Sequence, residues 1–237
     1  AHWDPLGRCD ADKTGDDICN GALDNATGTA GLIALAEAHA RRGNPERSLV
    51  FLAVTAEESG LLGSKYYAEN PVYPLASTVG GVNMDGLNVM GNTRDFVVIG
   101  KGKSQLEDYM KRATDRYALA VKNEPSPQAG YYYRSDHFSL AREGVPMLYA
   151  EGGEDLVKGG LAAGRAAADD YRTNRYHQPS DEYDATWDWS GAIRDLEIYW
   201  LIGRELADST DWPNWNPGDE FRAIRDRSRG NAGPIMR

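Results

Sequence analysis

Ser48-Leu-Val-Phe-Leu-Ala-Val-Thr55 is a continuous apolar run, and Ala56-Glu57-Glu58-Ser59-Gly60 closes it. Short and without polar alternation, it reads as a strand buried on both faces, the kind that a parallel sheet contains. Upstream, residues 27–42 carry Leu32, Leu35 and Ala36 at helical spacing and stop at Gly43 ahead of Asn44-Pro45. Downstream, a helical stretch with Leu61, Leu62, Tyr66 and Tyr67 ends before Pro71, and residues 78–84 form a further strand closed by Asp85-Gly86. The same alternation continues with a short strand at 95–99, a helix over 104–119, a strand at 145–150 and a long helix over 187–207. Residues 121–135, rich in Pro and Tyr, read as loop, and 151–176 as a Gly- and Ala-rich excursion. From Thr210 onward the tail reads as an ordered wrap followed by a fraying basic end. Strands alternating with helices predict an α/β fold, a three-layer sandwich whose central, mostly parallel twisted sheet is flanked by helices. With no internal repeat and no linker, residues 1–237 read as a single domain.

Composition narrows the function. The chain has 237 residues, 41% hydrophobic and 26% charged, enough to bury a full core. Acidic residues number 36 against 26 basic ones, for a formal charge of −10. A field of that sign repels nucleic acid and anionic membrane surfaces. No apolar run approaches the ~20 residues that cross a bilayer. Nucleic acid and membrane insertion are therefore excluded as partners, and the oligomeric state is left open. Cys9 and Cys19 lie in one Asp-rich loop, where they form one disulfide in an oxidising compartment or remain two thiols. Asp10-Ala-Asp12-Lys-Thr-Gly15-Asp16 resembles a calcium loop only superficially, because its twelfth position is Gly21 rather than Glu.

In open α/β sheets functional groups gather at the carboxyl ends of strands. Glu57 and Glu58 follow the 48–55 run, and Asp85 follows the next strand. Adjacent carboxylates at a strand end point to opposite sides, so Glu58 can bind a metal while Glu57 faces water bound to it. An isolated acid in such a place is more often a helix cap, but three together indicate a site. The chain has four histidines. His39, beside Arg41 and Arg42, reads as a surface residue. His2 lies in His-Trp-Asp, where Asp4 can accept from the ring's second nitrogen, and His177 lies in an irregular polar segment. Imidazole mixed with carboxylate is the usual donor set of zinc hydrolases.

Asn20-Gly-Ala-Leu-Asp24-Asn-Ala-Thr-Gly28, Thr55-Ala-Glu57-Glu58-Ser-Gly-Leu-Leu-Gly-Ser64, Asn83-Met-Asp85 and Tyr176-His177-Gln-Pro-Ser-Asp181 occur in this order. With His2-Trp-Asp4 and Ser135-Asp-His137 they resemble metallopeptidase family 28, the di-zinc exopeptidases that include leucyl aminopeptidases, glutamate carboxypeptidases and glutaminyl cyclases. The resemblance covers roughly residues 1 to 209. It implies that Asp24 bridges two zinc ions, one also held by Glu58 and His177, the other by His2 and Asp85. It implies Glu57 as general base, Asp4 as the residue orienting His2, Tyr132 as the donor to the oxyanion, and a cis peptide between Asp24 and Asn25. Ser135-Asp136-His137 reads as structural support rather than a nucleophilic triad.

The expected activity is hydrolysis of terminal peptide bonds by metal-activated water, most simply as an aminopeptidase acting on peptides. The alternatives are a glutaminyl-cyclase-like acyltransferase using one zinc, or a binding domain on the same fold without catalysis. Because such enzymes usually carry strands ahead of the His-x-Asp motif, the chain reads as the C-terminal part of a longer, secreted or periplasmic protein. His2, two residues from the start, is then expected to fray and to hold its zinc the more weakly.

Overall fold

A computed structural model describes residues 1–231. Two short strands, β1 (Gly7–Arg8) and β2 (Ile18–Cys19), pair antiparallel, and the Cys9–Cys19 disulfide locks this hairpin. A kinked turn over Ala22–Thr27 leads into α1 (Gly28–Arg42), and α2 (Leu62–Glu69) follows the Glu57–Glu58 turn. The central sheet comprises β3 (Gly81–Asn83), β4 (Asp95–Val98), β5 (Ala120–Asn123) and β6 (Met147–Gly152), in the order β3-β6-β4-β5. β3 runs parallel to β6 and β4 to β5, whereas β4 and β6 are antiparallel, so the sheet is mostly parallel but mixed. The helices interspersed with these strands are α3 (Leu106–Asp115), α4 (His137–Arg142), α5 (Gly160–Asn174), α6 (Ser190–Asp208) and α7 (Arg222–Asn231).

The alternation of side chains along a strand divides the core in two. Phe96, Val98, Leu148 and Ala150 face one way, against Leu106, Tyr109 and Met110 of α3, Ile198 and Ile202 of α6, and Leu35 of α1. Val97, Ile99 and Tyr149 face the other way, against Ala141 of α4, Trp215 and Phe221. Helices thus cover both faces of the sheet.

Several sequence expectations need correction. Residues 48–53 join no ladder, and Val50 and Phe51 stand 51% and 37% exposed. Only Val54 pairs, in a parallel bridge with His2. The apolar run is extended chain with one bonded end, because no neighbouring strand flanks it among the described residues. Residues 121–123, read as the start of a loop, belong to edge strand β5, whose mostly exposed side chains carry no apolar signature. The Gly- and Ala-rich excursion contains α5; its alanines favour helix, and Gly164 marks where that helix meets Glu154, whose carbonyl oxygen would lie 1.9 Å from a Cβ. The tail expected to fray is helical as far as residue 231, with Arg225 buried and donating to the carbonyls of Leu75 and Thr78; its last part, 232–237, lies outside the described residues. His39 is buried rather than on the surface, stacked on Trp200 with ring centroids 5.7 Å apart. No described helix is long and apolar enough to cross a membrane.

Candidate metal centre

Three local structures bring the acidic residues together. After Val54 the chain turns sharply: Ala56 and Leu61 take left-handed backbone, and the N–H groups of Gly60 and Leu61 donate to the Glu57 carbonyl. The turn closes where Gly63 N–H meets the Thr55 carbonyl at 2.9 Å, an approach that leaves no room for a Cβ. Backbone held out of the favoured regions in this way is concentrated at functional sites, and His177 is left-handed as well.

The Asp24 turn is pinned from two directions. Asn25 Oδ1 accepts from Gly28 and Gly86 N–H while its Nδ2 donates to the Met84 carbonyl, which ties this turn to the end of β3. From the other side, the Asp181 carboxylate accepts from the N–H groups of Leu23 and Asp24 and from the Tyr171 hydroxyl. The Asp24–Asn25 peptide bond is cis. At the end of β3, Ser135 Oγ donates to Asp85 Oδ2 at 2.5 Å and accepts from Asn83 Nδ2 at 2.7 Å.

All five residues expected to hold metal converge in two groups, His2, Asp24 and Asp85, and Asp24, Glu58 and His177. Asp24 belongs to both. Its Oδ1 lies 3.2 Å from His2 Nε2, and its Oδ2 lies 3.4 Å from His177 Nε2. His2 Nε2 is also 3.2 Å from Asp85 Oδ1, and His177 Nε2 is 3.0 Å from Glu58 Oε2. Four ligands each about 2.0–2.1 Å from zinc in a tetrahedron stand roughly 3.3 Å from one another. The donor types and their spacings therefore fit two zinc ions sharing one carboxylate. His177 Nε2, although close to two carboxylates, is aligned for a hydrogen bond with neither.

Electrostatics agree with this fit. Burial opposes charge on His2, but the Asp24 and Asp85 carboxylates override it and push the imidazole up to about 11. Asp24 and Glu58 likewise push His177 up to about 9. So many acids around two imidazoles demand positive charge, as protons or as metal. Glu57 lies outside both groups; burial, and then the Asp85 carboxylate, push it up to about 8.

His2 is not frayed. Trp3 N–H donates to the Val54 carbonyl, Thr29 Oγ1 donates to the His2 carbonyl, and the side chain is 1% exposed. Its Nδ1 sits 3.0 Å from the Asp4 main-chain carbonyl and 3.8 Å from the Asp4 carboxylate, so the backbone rather than the side chain is the ring's partner. A carbonyl only accepts, which puts the proton on Nδ1 and leaves Nε2 free to bind metal. The Asp4 carboxylate instead accepts from Glu57 N–H.

The structure does not bring Tyr132 to this cluster. Its ring is 5% exposed and packed in the second core layer against His137 and Phe138, with Lys103 over its face. After burial, the charges felt by its hydroxyl are those of Asp219 and Glu220. The tyrosine beside the metal-binding residues is Tyr176, stacked on His177 with centroids 3.7 Å apart. Sequence reading gave no role to Tyr176, Asn25 or Asp181, all within the quoted motifs; the contacts of Asn25 and Asp181 come from distant segments, and no pattern announces that Tyr176 stacks on the neighbouring His177.

The sequence model of peptidase family M28 matches residues 1–201. The chain belongs to peptidase family M28. Leupeptin-inactivating enzyme 1 of Streptomyces exfoliatus is 32% identical over 148 residues, which are 60% of this chain and 32% of that protein. A vacuolar membrane protease of Pyricularia oryzae is 25% identical over 84% of this chain and 19% of its own length. This M28 chain thus spans a third or less of the curated relatives it matches. Among solved structures, the LapA aminopeptidase of Legionella pneumophila superposes with a TM-score of 0.60 at 20% identity, over 86% of this chain and 50% of that one. A leucine aminopeptidase precursor from Bacteroides thetaiotaomicron gives 0.54 at 17% identity, over 89% and 70%. At these identities the superpositions establish a shared fold.

Proposed function

We propose that this M28 chain is the catalytic part of a zinc-dependent exopeptidase, an aminopeptidase acting on peptides. The observation that carries the reading is Asp24, whose two oxygens face opposite donor groups while Glu57 stands beside them uncommitted. His2 and Asp85 would hold one zinc, Glu58 and His177 the other, with Asp24 between them. Zinc bound there would supply Lewis-acid polarisation of the scissile carbonyl. Glu57, whose carboxylate the charge of bound zinc would keep ionised against the neighbouring acids, takes the proton of the attacking water and returns it to the leaving amine. Asp4 fixes the backbone of that base through the Glu57 N–H. The surplus of carboxylates also offers a partner for the ammonium end of a peptide, which favours the aminopeptidase direction. The names of the Legionella and Bacteroides proteins point the same way. The Cys9–Cys19 disulfide supports action outside the reducing cytosol, in a secreted or periplasmic setting.

The test is Glu57→Gln. Zinc content is expected to stay at the wild-type level while hydrolysis of a leucyl chromogenic substrate falls by about 10²–10⁴-fold. Near-normal turnover by the zinc-replete variant would remove Glu57 as the base.

A further inference from the structure

Glu151, the next-to-last residue of β6, belongs to neither donor group, yet the sheet sets it beside one. Asn83 of β3 pairs with Tyr149 of β6, and Val97 of β4 with Glu151, so all four side chains stand on one face of the sheet. Asp85 faces the same side, because the Ser135 hydroxyl bonds both Asn83 Nδ2 and Asp85 Oδ2. Asp85 and Glu151 each lie two residues beyond the Asn83–Tyr149 rung. They are lateral neighbours at the carboxyl ends of adjacent strands, whose spacing is about 4.8 Å.

Glu151 lacks a partner. Among the described residues its carboxylate accepts no hydrogen bond and joins no ion pair, whereas Glu154 and Asp155, just beyond it, are met by Arg165 and Arg94. The cations of neighbouring elements are committed. Lys122, which pairs with Val97 from its other side, bonds Asp95 Oδ2 at 3.0 Å, and Arg194 bonds Asp195 and Thr93. Water alone serves a fully exposed carboxylate, but Glu151 is half-buried. Burial, then Asp195, Asp85 and Glu124, oppose its charge, and no basic group offsets them. A carboxylate so placed, which solvent still reaches, is completed by a cation from outside. Among the described residues no cluster of metal donors includes Glu151, so that cation is organic. The α-ammonium of a peptide has Asp24, Glu58 and Asp85 to pair with. One strand farther out, Glu151 suits a charge carried at the end of a long side chain.

We propose that Glu151 is a specificity residue of this centre and binds the cationic side chain of a terminal lysine or arginine of the substrate. The inference rests on the zinc exopeptidase reading for the meaning of "substrate" but not for its test.

Equilibrium binding of amino-acid amides to the zinc-loaded protein tests it. L-Lysinamide and L-norleucinamide share the α-ammonium and the same run of side-chain carbons, and only the first ends in a cation. A charge-assisted pair corresponds to about 10- to 100-fold in affinity. The wild type is therefore expected to prefer L-lysinamide by that factor, and L-argininamide should follow it. Glu151→Gln should abolish the preference, and Glu151→Asp, which keeps the charge, should retain part of it. The inference is overturned if the wild type shows no such preference or binds neither amide, or if the preference survives in Glu151→Gln. It is equally overturned if Glu151→Gln weakens both amides alike, which would assign Glu151 to the α-ammonium. Because glutamine keeps the shape of the side chain and removes only an unpaired charge, the variant is expected to fold. Absence of peptide hydrolysis in the wild type would instead refute the exopeptidase reading and leave the binding comparison intact.

Discussion

Asp24 is the residue on which both donor groups depend, and a substitution there is expected to act twice. Asp24→Asn keeps the shape of the turn but weakens both oxygens as ligands, so the zinc retained after dialysis should fall at both positions. His177→Ala should spare the group of His2, Asp24 and Asp85. Metal analysis of the two variants decides: if Asp24→Asn retains as much zinc as His177→Ala, Asp24 does not bridge. The five members of these groups were legible in the sequence because each sits in a short motif, and the motifs occur in family order. Of the supports, Ser135 was read as structural from its motif, but the contacts themselves were not legible: Ser135 reaches Asp85, and Asp181 reaches the Asp24 backbone, across separations that no local pattern encodes. Tyr132 misled for a related reason: its offset from Ser135 fitted the motif, but its ring turned into the aromatic core.

At the level of elements, the turn between residues 55 and 63 sets the position of Glu57 and Glu58, and it depends on close backbone contact at Gly63. A Cβ there would sit 2.2 Å from the Thr55 carbonyl oxygen. Gly63→Ala should destabilise the protein by about 1–3 kcal/mol, the usual cost of overpacking. It should also weaken zinc more at the group containing Glu58 than at the one containing Asp85. Denaturant unfolding with chelator competition measures both effects, and unchanged values would mean that the turn tolerates a shift. Helices with a clear apolar face, such as α3 and α6, were legible from periodicity alone. The short edge strand β5 was not, because strand propensity there depends on one neighbour rather than on its own side chains. The 48–53 run shows the converse: an apolar sequence specifies a strand only where another strand is present to receive it.

For the molecule as a whole, His137 links stability to pH. Burial, and then Lys103, hold its imidazole down at about 3, whereas an unfolded histidine titrates near 6.5. The unfolded chain therefore takes up a proton that the folded one refuses. Stability is full above pH 6.5 and declines as pH falls toward 3. Between pH 6.5 and 5 the loss from this residue is about 2 kcal/mol. His137→Phe should flatten that slope in unfolding experiments across this window; an identical slope in the variant would assign the acid sensitivity elsewhere. The unpaired segment 48–53, with Val50 and Phe51 exposed, has a consequence for handling the protein. Exposed apolar side chains on unpaired backbone invite other copies, and here the shared charge of −10 keeps copies apart. That repulsion reaches about 10 Å in 0.1 M salt and only about 3 Å in 1 M. Concentrated brine should thus cloud a solution that stays clear in dilute buffer, with light scattering rising steeply with ionic strength, and Phe51→Lys should keep it clear.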